Sequence, residues 1–236
     1  MPNFKQILFN TVYISLMKMV LGLVVPVFFA ILLDLIKRSG FKRFVQTMIY
    51  IPYFLSWVVL SGILIDILSP STGIVNQMLE TLGMDPIFFL GDESIFPHVL
   101  IWSDVWKGFG YGTIVYLAAI TSIDPMLYEA AKIDGANRLK QVLHITLPGL
   151  LPMIILMATL SLGNILNAGF DQVLNLYNPN VMRTGDIIDT FVYRIGLQNA
   201  QYGIASAVGV FKSAVSLLFI SVGYWLAYRF ANYRVF

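Results

Sequence analysis

The sequence contains no cysteine and only two histidines, His98 and His144, among its 236 residues. Without cysteine the chain has no disulfide, no thiolate nucleophile and no cysteine-ligated metal. The histidines fall in different segments, so we interpret each as an interfacial residue rather than half of a paired metal site. No nucleophile elbow, metal-ligand cluster or isolated acid pair is present in the sequence, and we therefore expect no catalytic site.

An ATP-binding loop is also missing. Such a loop needs a glycine directly before its lysine, with a serine or threonine after it. The nearest stretch, Gly209–Ser213, has phenylalanine before its lysine and opens an apolar segment. We therefore expect this chain to bind no cofactor, with any ATP and Mg held by other subunits.

Charged residues are scarce: they make up 12% of the chain, against 58% hydrophobic residues. A soluble domain carries about 25% charged residues. Lys and Arg lie in short clusters between the apolar stretches, so the net charge of +2 does not indicate a nucleic-acid partner. The composition predicts an all-α protein embedded in a lipid bilayer.

Five apolar segments are each close to the roughly 20 residues that a membrane-spanning helix needs. They cover residues 12–35, 47–68, 97–121, 147–168 and 204–228. We expect them to form a single transmembrane domain over residues 1–236.

Basic residues predict the orientation of these segments, because cytoplasmic loops retain Lys and Arg. The loops after the first and third segments and the tail with Arg229 and Arg234 are basic, whereas loops 69–96 and 169–203 are rich in acidic residues. The prediction is an amino terminus outside and a carboxyl terminus in the cytoplasm. Because an outside amino terminus without a preceding helix is unusual, we expect that a further upstream helix is either missing from this chain or dispensable.

Polar residues interrupt the apolar segments. Asp104 and Lys107 are three residues apart, so they share a helix face and could neutralise one another or line an aqueous pathway. Lys18 is expected near a helix end, with its ammonium reaching water. The glycines of the third segment, Gly108, Gly110 and Gly112, are expected to let helices pack closely.

The cytoplasmic loop at about 122–147 has the signals of a short helix. Asp124 is a good N-cap, Pro125 suits the first helical position, and Gly135 marks a stop. A second helical stretch is expected over residues 137–147. Taken alone, the pattern fits either a helix that docks into a protein groove or an amphipathic elbow at the membrane surface.

The run EAAKIDGANRLKQVLHITLPGLLP in this loop resembles the EAA loop of the inner-membrane permeases of ABC importers. The matching positions are Glu129, Ala130, Ala131, Asp134, Gly135, Ala136, Ile145, Leu147, Pro148 and Pro152. The resemblance implies a type I ABC importer permease fold whose coupling helix docks into a groove on an ATP-binding subunit. It assigns the contacts and turn of that coupling to Glu129–Ala131 and Asp134–Ala136, with Leu147 and Pro148 at the following helix.

The resemblance covers nearly the whole chain and is strongest to the sugar-type branch, associated with polysaccharide, oligosaccharide and lipoprotein-linked uptake. It rests on stretches such as 54–59, 103–108 and 186–197. It implies two ATP-binding subunits, a second similar permease, and an extracellular or periplasmic substrate-binding protein. Members of this branch usually have one more amino-terminal helix, which agrees with the missing helix expected from the topology.

A sugar substrate would be held by aromatic faces and by amide or carboxylate hydrogen bonds. The candidates on this pathway are Asp104, Trp106, Tyr111, Asn164, Asn167, Asp171 and Gln172. Exposed aromatics also anchor membrane proteins at the lipid interface, and amides also join neighbouring helices. A secondary transporter, a channel subunit and an ABC importer for another solute are the alternative functions.

Overall fold

The computed structural model describes residues 4–231, with side chains described as far as residue 225. Arg229 and Arg234, which the orientation prediction used, therefore lie outside the described side chains. The α-helices within this range are α1 (Phe4–Leu35), α2 (Ser39–Tyr50), α3 (Trp57–Ile67), α4 (Ile74–Thr81), α5 (Phe96–Thr121), α6 (Pro125–Ile133), α7 (Arg138–Gln141), α8 (Leu147–Leu162), α9 (Phe170–Leu176), α10 (Met182–Gly185), α11 (Ile188–Val192) and α12 (Tyr202–Ala231). No strand occurs among these residues, as the sequence predicted.

Three helices are long and apolar enough to cross a membrane: α1, the continuous helix Arg138–Leu162, and the Tyr202–Trp225 part of α12. Two pairs of helices are long and apolar enough only when each pair is taken together: α2 with α3, and α5 with α6. Each pair is bent by more than 40° at its break. The described chain thus has three such helices, or up to five if each bent pair is one span.

The second predicted segment, 47–68, is not one continuous helix. After α2 the chain forms a 3-10 turn, Ile51–Phe54, that contains Pro52, and Ser56 then starts α3 by accepting a hydrogen bond from the Val59 N–H. Proline has no N–H to donate to the preceding turn, so it favours a break there. A helix of 11 residues is only about 16 Å long, which is too short to cross the hydrocarbon by itself.

The fourth predicted segment, 147–168, is joined to the helical stretch expected over residues 137–147. That stretch is confirmed: a single helix begins at Arg138, passes through a π-helical turn at Val142–Thr146, and ends at Leu162. The N–H of Leu147 bonds to the carbonyl of Val142, five residues back, which makes room for the ring of Pro148 in the next turn. Residues 163–169 are therefore a turn outside the helix, contrary to the prediction.

The described residues cluster into two compact units. The first contains those of Met1–Lys18, Leu55–Asp104 and Gly163–Phe219, and the second those of Met19–Phe54, Val105–Leu162 and Ile220–Phe236. In the first unit α3 packs against α9. The second unit has a hydrophobic core from α1, α5 and α8, formed by Val27, Ala30, Leu33, Tyr116, Leu117, Ile120 and Leu150.

Close helix packing in the second unit depends on glycine. A Cβ placed on Gly110 would lie 1.9 Å from the carbonyl oxygen of Ile49, and one on Gly112 would lie 3.1 Å from the ring of Pro26. A Cβ on Gly108 would have no described atom within 4 Å. The packing role predicted for these glycines is confirmed for Gly110 and Gly112 but is wrong for Gly108.

Candidate coupling surface and substrate-side residues

The coupling segment, which is the predicted cytoplasmic loop 122–147, begins its first helix where the sequence indicated. Asp124 is the N-cap of α6, and its carboxylate oxygen accepts a hydrogen bond of 2.9 Å from the Met126 N–H. Pro125 occupies the first helical position, where its missing N–H costs nothing. The start of the nine-residue helix is therefore fixed by residues at its own N-terminus.

The turn after α6 requires glycine because Gly135 has a φ of +75°. The N–H of Ala136 reaches back to the carbonyl of Ala131 at 2.8 Å, and the Gln141 side chain donates to the carbonyl of Ala136 at 2.9 Å. The first of these bonds is the 6→1 bond of a Schellman motif, the usual close of a helix by a left-handed glycine. The predicted helix stop at Gly135 is confirmed.

The second arm of the segment folds back against the first. Asn137 caps α7 by accepting from the Lys140 N–H at 2.9 Å, and the helix then continues into α8. The hydroxyls of Tyr128 and Thr146 share a hydrogen bond of 3.0 Å, which ties α6 to the π-helical turn just before Leu147. This hydrogen bond connects α6 directly to the residue before α8, so a displacement of α6 can be transmitted to α8.

An apolar face of α6 is exposed. Met126, Ala130 and Ile133 lie within one helix face by their three- and four-residue spacing. Met126 is 71% exposed and Ile133 is 87% exposed. Glu129 is also exposed, and Ala131 is partly buried. Such a surface is incompletely covered within this chain, and the small alanine leaves room for close approach by another protein.

In the first unit, Lys18 forms the centre of a buried polar network. Its ammonium donates to the carbonyl of Ala168 at 2.7 Å and to the side-chain oxygen of Gln172, and it lies 3.6 Å from a carboxylate oxygen of Asp104. The amide of Gln172 donates in turn to the Ser103 hydroxyl at 2.8 Å. The network joins α1 and α5 to the start of α9.

This network corrects two expectations. Lys18 was expected to reach water, but its side chain is only 8% exposed. Of the two roles open to Asp104, the pairing with Lys107 on the same helix is replaced by an ion pair with Lys18. Lys107 instead donates a hydrogen bond of 2.8 Å to the carbonyl of Tyr53. The sequence offered no local signal for a partner so distant along the chain.

The candidate residues around the 163–169 turn differ in their access to solvent. Asn164, Asn167 and Asp171 are exposed, and the Asn167 N–H closes the turn on the Asn164 carbonyl at 2.8 Å. Gln172 is fully buried and its amide is used within the network described above. The three exposed residues can meet a solute directly, whereas Gln172 can only position its neighbours.

The aromatic candidates of α5 lie in the second unit. Trp106 is 47% exposed and Tyr111 is 44% exposed. Their five-residue spacing places them about 140° apart around the helix. Tyr111 stacks on Tyr53, with ring centroids 4.0 Å apart, and the Lys107 ammonium lies 5.2 Å from the Tyr53 centroid. Sequence reasoning missed Tyr53; its neighbour Pro52, which marks the break, was the available signal.

A second charged network organises the 169–203 segment. Arg194 pairs with the buried carboxylate of Asp186, which also accepts from the Thr190 hydroxyl at 2.7 Å. Burial works to lower the pKa of Arg194, but the hydrogen bond and charge of Asp186 outweigh it and raise the pKa overall. Lys212 of α12 pairs with Asp189 at 2.5 Å. Within residues 4–231 no group of three acidic or histidine side chains is placed to hold a metal ion.

Comparison with known proteins identifies the family. Residues 22–232 match the family described as binding-protein-dependent transport system inner membrane component. The polygalacturonan/rhamnogalacturonan transport system permease protein YteP of Bacillus subtilis (strain 168) is 39% identical over all of this chain and 73% of its own length.

Two crystal structures give the same result. A bacterial alginate ABC transporter in complex with an alginate pentasaccharide-bound periplasmic protein has a chain that is 38% identical, with a TM-score of 0.96 over all of this chain and 82% of its own. A bacterial ABC transporter for import of the acidic polysaccharide alginate gives 39% identity and a TM-score of 0.94, over 98% of this chain and 80% of that one. The protein is therefore a multi-pass membrane permease of the binding-protein-dependent ABC importer family, with the type I fold that its EAA loop predicted.

Proposed function

We propose that this permease carries an oligosaccharide across the cytoplasmic membrane. A binding protein outside the membrane delivers the sugar, and a second, similar permease completes the pathway. Two ATP-binding subunits, which hold the ATP and Mg, drive the cycle. The names of YteP and of the alginate transporters, which concern polysaccharides, support this substrate class.

The observation that carries the proposal is the exposed apolar face of α6, held between the Asp124 cap and the Gly135 turn. A helix with this face gains stability by entering a groove on a partner. The carboxylate of Glu129 and the neighbouring alanines form the contact surface in this proposal, and Asp134 closes the helix. Movement of the groove on ATP binding then reaches α8 through the Tyr128–Thr146 hydrogen bond.

On the substrate side, the stacked pair of Tyr53 and Tyr111 offers an aromatic surface for a sugar ring. Lys107 places an ammonium beside the same rings, which suits a carboxylate on the sugar. Because of this cation, acidic oligosaccharides are the substrates to test first. The other candidates for contact with the sugar are Asp104, Trp106, Asn164, Asn167 and Asp171.

The test is uptake by the assembled transporter in proteoliposomes. Acidic and neutral oligosaccharides of equal length are compared, with and without internal ATP. Tyr111→Ala removes the stacked ring, and Tyr202→Ala is the matched control because Tyr202 is also an exposed tyrosine, 62% exposed. An aromatic contact contributes about 0.5–1.5 kcal/mol, so we expect two- to tenfold lower uptake at low sugar concentration for Tyr111→Ala alone.

The outcomes separate the alternatives. Uptake without ATP and without an ATP-binding subunit would support a secondary transporter or channel. ATP-dependent uptake of a different solute, with no response to any oligosaccharide, would keep the importer and reject the sugar. Equal loss in Tyr111→Ala and Tyr202→Ala would reject the aromatic surface as the place of sugar contact.

A further inference from the structure

An apolar groove of about 570 Å³ lies in the second unit, between α1 and the helix Arg138–Leu162. On α1 it is lined by Val24, Phe28 and Leu32, which are 59%, 57% and 42% exposed. On the other helix it is lined by Leu139 and Ile154. No described residue covers these side chains fully, and almost no polar atoms line the groove. Such a groove suits a hydrocarbon chain.

A cavity of about 370 Å³, lined by both apolar and charged residues and called the polar cavity below, adjoins the apolar groove, because both are lined by Leu35, Arg138 and Val142. Its other walls include Tyr128 and Lys132 of α6, so the cavity lies at the base of the coupling helix. In the described chain, Arg138 is the one basic residue that lines both spaces.

The titratable groups of the polar cavity are Asp34, Tyr128, Lys132 and Arg138. The lining thus contains two basic side chains and one carboxyl group, an excess of one formal positive charge. Lys37 and Arg38, both exposed, lie two and three residues beyond Leu35, which lines the cavity. A ligand that fits both spaces has an anionic head next to a long apolar tail.

We propose that these two spaces form a binding site for an anionic phospholipid. The acyl chain lies in the apolar groove, and the head-group phosphate accepts hydrogen bonds from Arg138 in the polar cavity. A membrane-embedded chain meets such lipids throughout its life, and basic residues at the membrane surface attract them. A free phosphate would leave the apolar groove open, and a neutral lipid would leave the excess cation unpaired.

The consequence is regulatory. Because Tyr128 and Lys132 belong to α6, an occupied site connects the coupling helix to the surrounding lipid. A lipid head group bound there stabilises one position of α6 relative to α1 and α8. Transport activity then depends on the fraction of anionic lipid in the membrane.

The first experiment measures binding without requiring transport, so its outcome is independent of the proposed sugar import. The assembled transporter is delipidated in detergent and titrated with phosphatidylglycerol or phosphatidylcholine, and bound lipid is counted by native mass spectrometry. Arg138→Gln is compared with Lys140→Gln, a nearby exposed basic residue that lines neither space. We expect about fivefold weaker phosphatidylglycerol binding for Arg138→Gln alone, the effect of one basic residue at a lipid surface.

Two further arms test the head and the tail separately. Asp34→Asn removes the opposing carboxylate and should tighten phosphatidylglycerol binding. Val24→Trp fills the apolar groove and should displace the lipid, whereas Val20→Trp, one turn earlier on α1 and outside the groove, should not. Inorganic phosphate at millimolar concentration should compete poorly, because it lacks the tail.

Thermal midpoints from tryptophan fluorescence are measured for every variant, to establish that each protein is folded. Equal binding of phosphatidylglycerol and phosphatidylcholine, or equal losses in Arg138→Gln and Lys140→Gln, would overturn the head-group assignment. Full lipid binding by folded Val24→Trp would overturn the assignment of the acyl chain to the groove.

Discussion

The glycine that closes the coupling helix allows a sharp test of the coupling proposal, because the chain contains a near-identical turn elsewhere. Gly135 has a φ of +75° and Gly83 a φ of +77°. Each follows a helix closed by a 6→1 bond, Ala136 to Ala131 after α6 and Met84 to Leu79 after α4. An added Cβ would have no described atom within 4 Å at either site. Alanine therefore strains both backbones equally and causes no steric clash.

The expected cost follows from the backbone alone. An L-residue in the left-handed region costs about 1–2 kcal/mol, and the reduced entropy of the unfolded chain returns about 0.4–1 kcal/mol. Gly135→Ala and Gly83→Ala should thus each lose about 1 kcal/mol of stability, which lowers the thermal midpoint by about 2–4 °C. Asparagine tolerates this conformation, so Gly135→Asn should lose less.

Only the turn at Gly135 lies in the proposed coupling segment. If docking of α6 needs this turn, a strain of about 1 kcal/mol lowers the population of the docked geometry roughly fivefold. ATP-driven sugar uptake by Gly135→Ala should fall by a similar factor while basal ATP hydrolysis by the partner subunits continues. Gly83→Ala should transport normally, and Gly135→Asn should recover most of the uptake.

The assay is sugar uptake and ATP hydrolysis by the assembled transporter in proteoliposomes, with the thermal midpoint recorded for each variant. Equal transport by Gly135→Ala and Gly83→Ala at equal loss of stability would refute the coupling role of this turn. Equal loss of transport in both variants would show that general destabilisation is the cause.

Three shorter predictions concern packing, the buried network and topology. Gly110→Ala should lower stability by about 1–3 kcal/mol because its methyl group meets a backbone carbonyl, whereas Gly108→Ala should raise it slightly; thermal unfolding compares them. Lys18→Met should cost about 1–3 kcal/mol, since it leaves a partly exposed carboxylate and buried oxygen acceptors without their donor; a midpoint within 2 °C of the parent would contradict this. Because the chain has no cysteine, single-cysteine variants test its orientation. A membrane-impermeant maleimide applied to intact cells should label Asp85→Cys, and should label Lys37→Cys only after permeabilisation.

The coupling segment could be predicted in detail because its signals are local. An N-cap carboxylate, a proline at the first helical position and a glycine with positive φ each act within a few residues of their own position. The structure confirms Asp124, Pro125 and Gly135 in these positions. The role of Glu129 and its neighbours in binding an ATP-binding subunit stays a prediction, because that contact depends on a second chain.

The boundaries of the membrane segments were harder to predict, because hydropathy averages over a window and does not register a break inside it. Pro52 and Ser56 interrupt an apolar run that averages as one span. The helix expected over residues 137–147 and the fourth segment were predicted as separate stretches, but a π-helical turn at Val142–Thr146 joins them into one helix that runs past Pro148. In both places a proline indicated an irregular turn. Whether the helix broke, as at Pro52, or continued, as at Pro148, depended on the backbone hydrogen bonds that the neighbouring turns could form.

The buried network of Lys18 shows why long-range partners escape sequence reasoning. A lysine ammonium has three hydrogens to donate, and burial without partners is costly in a membrane segment. Lys18 meets this requirement with partners from two separate parts of the chain: the Ala168 carbonyl and the Gln172 side chain near the start of α9, and the carboxylate of Asp104 on α5. The sequence pattern suggested only Lys107, three residues away on the same helix, as a partner for Asp104. A buried ammonium needs several acceptors at once. Lys18 therefore pairs with the groups that together supply them, and the opposite charge nearest in sequence does not determine the pairing.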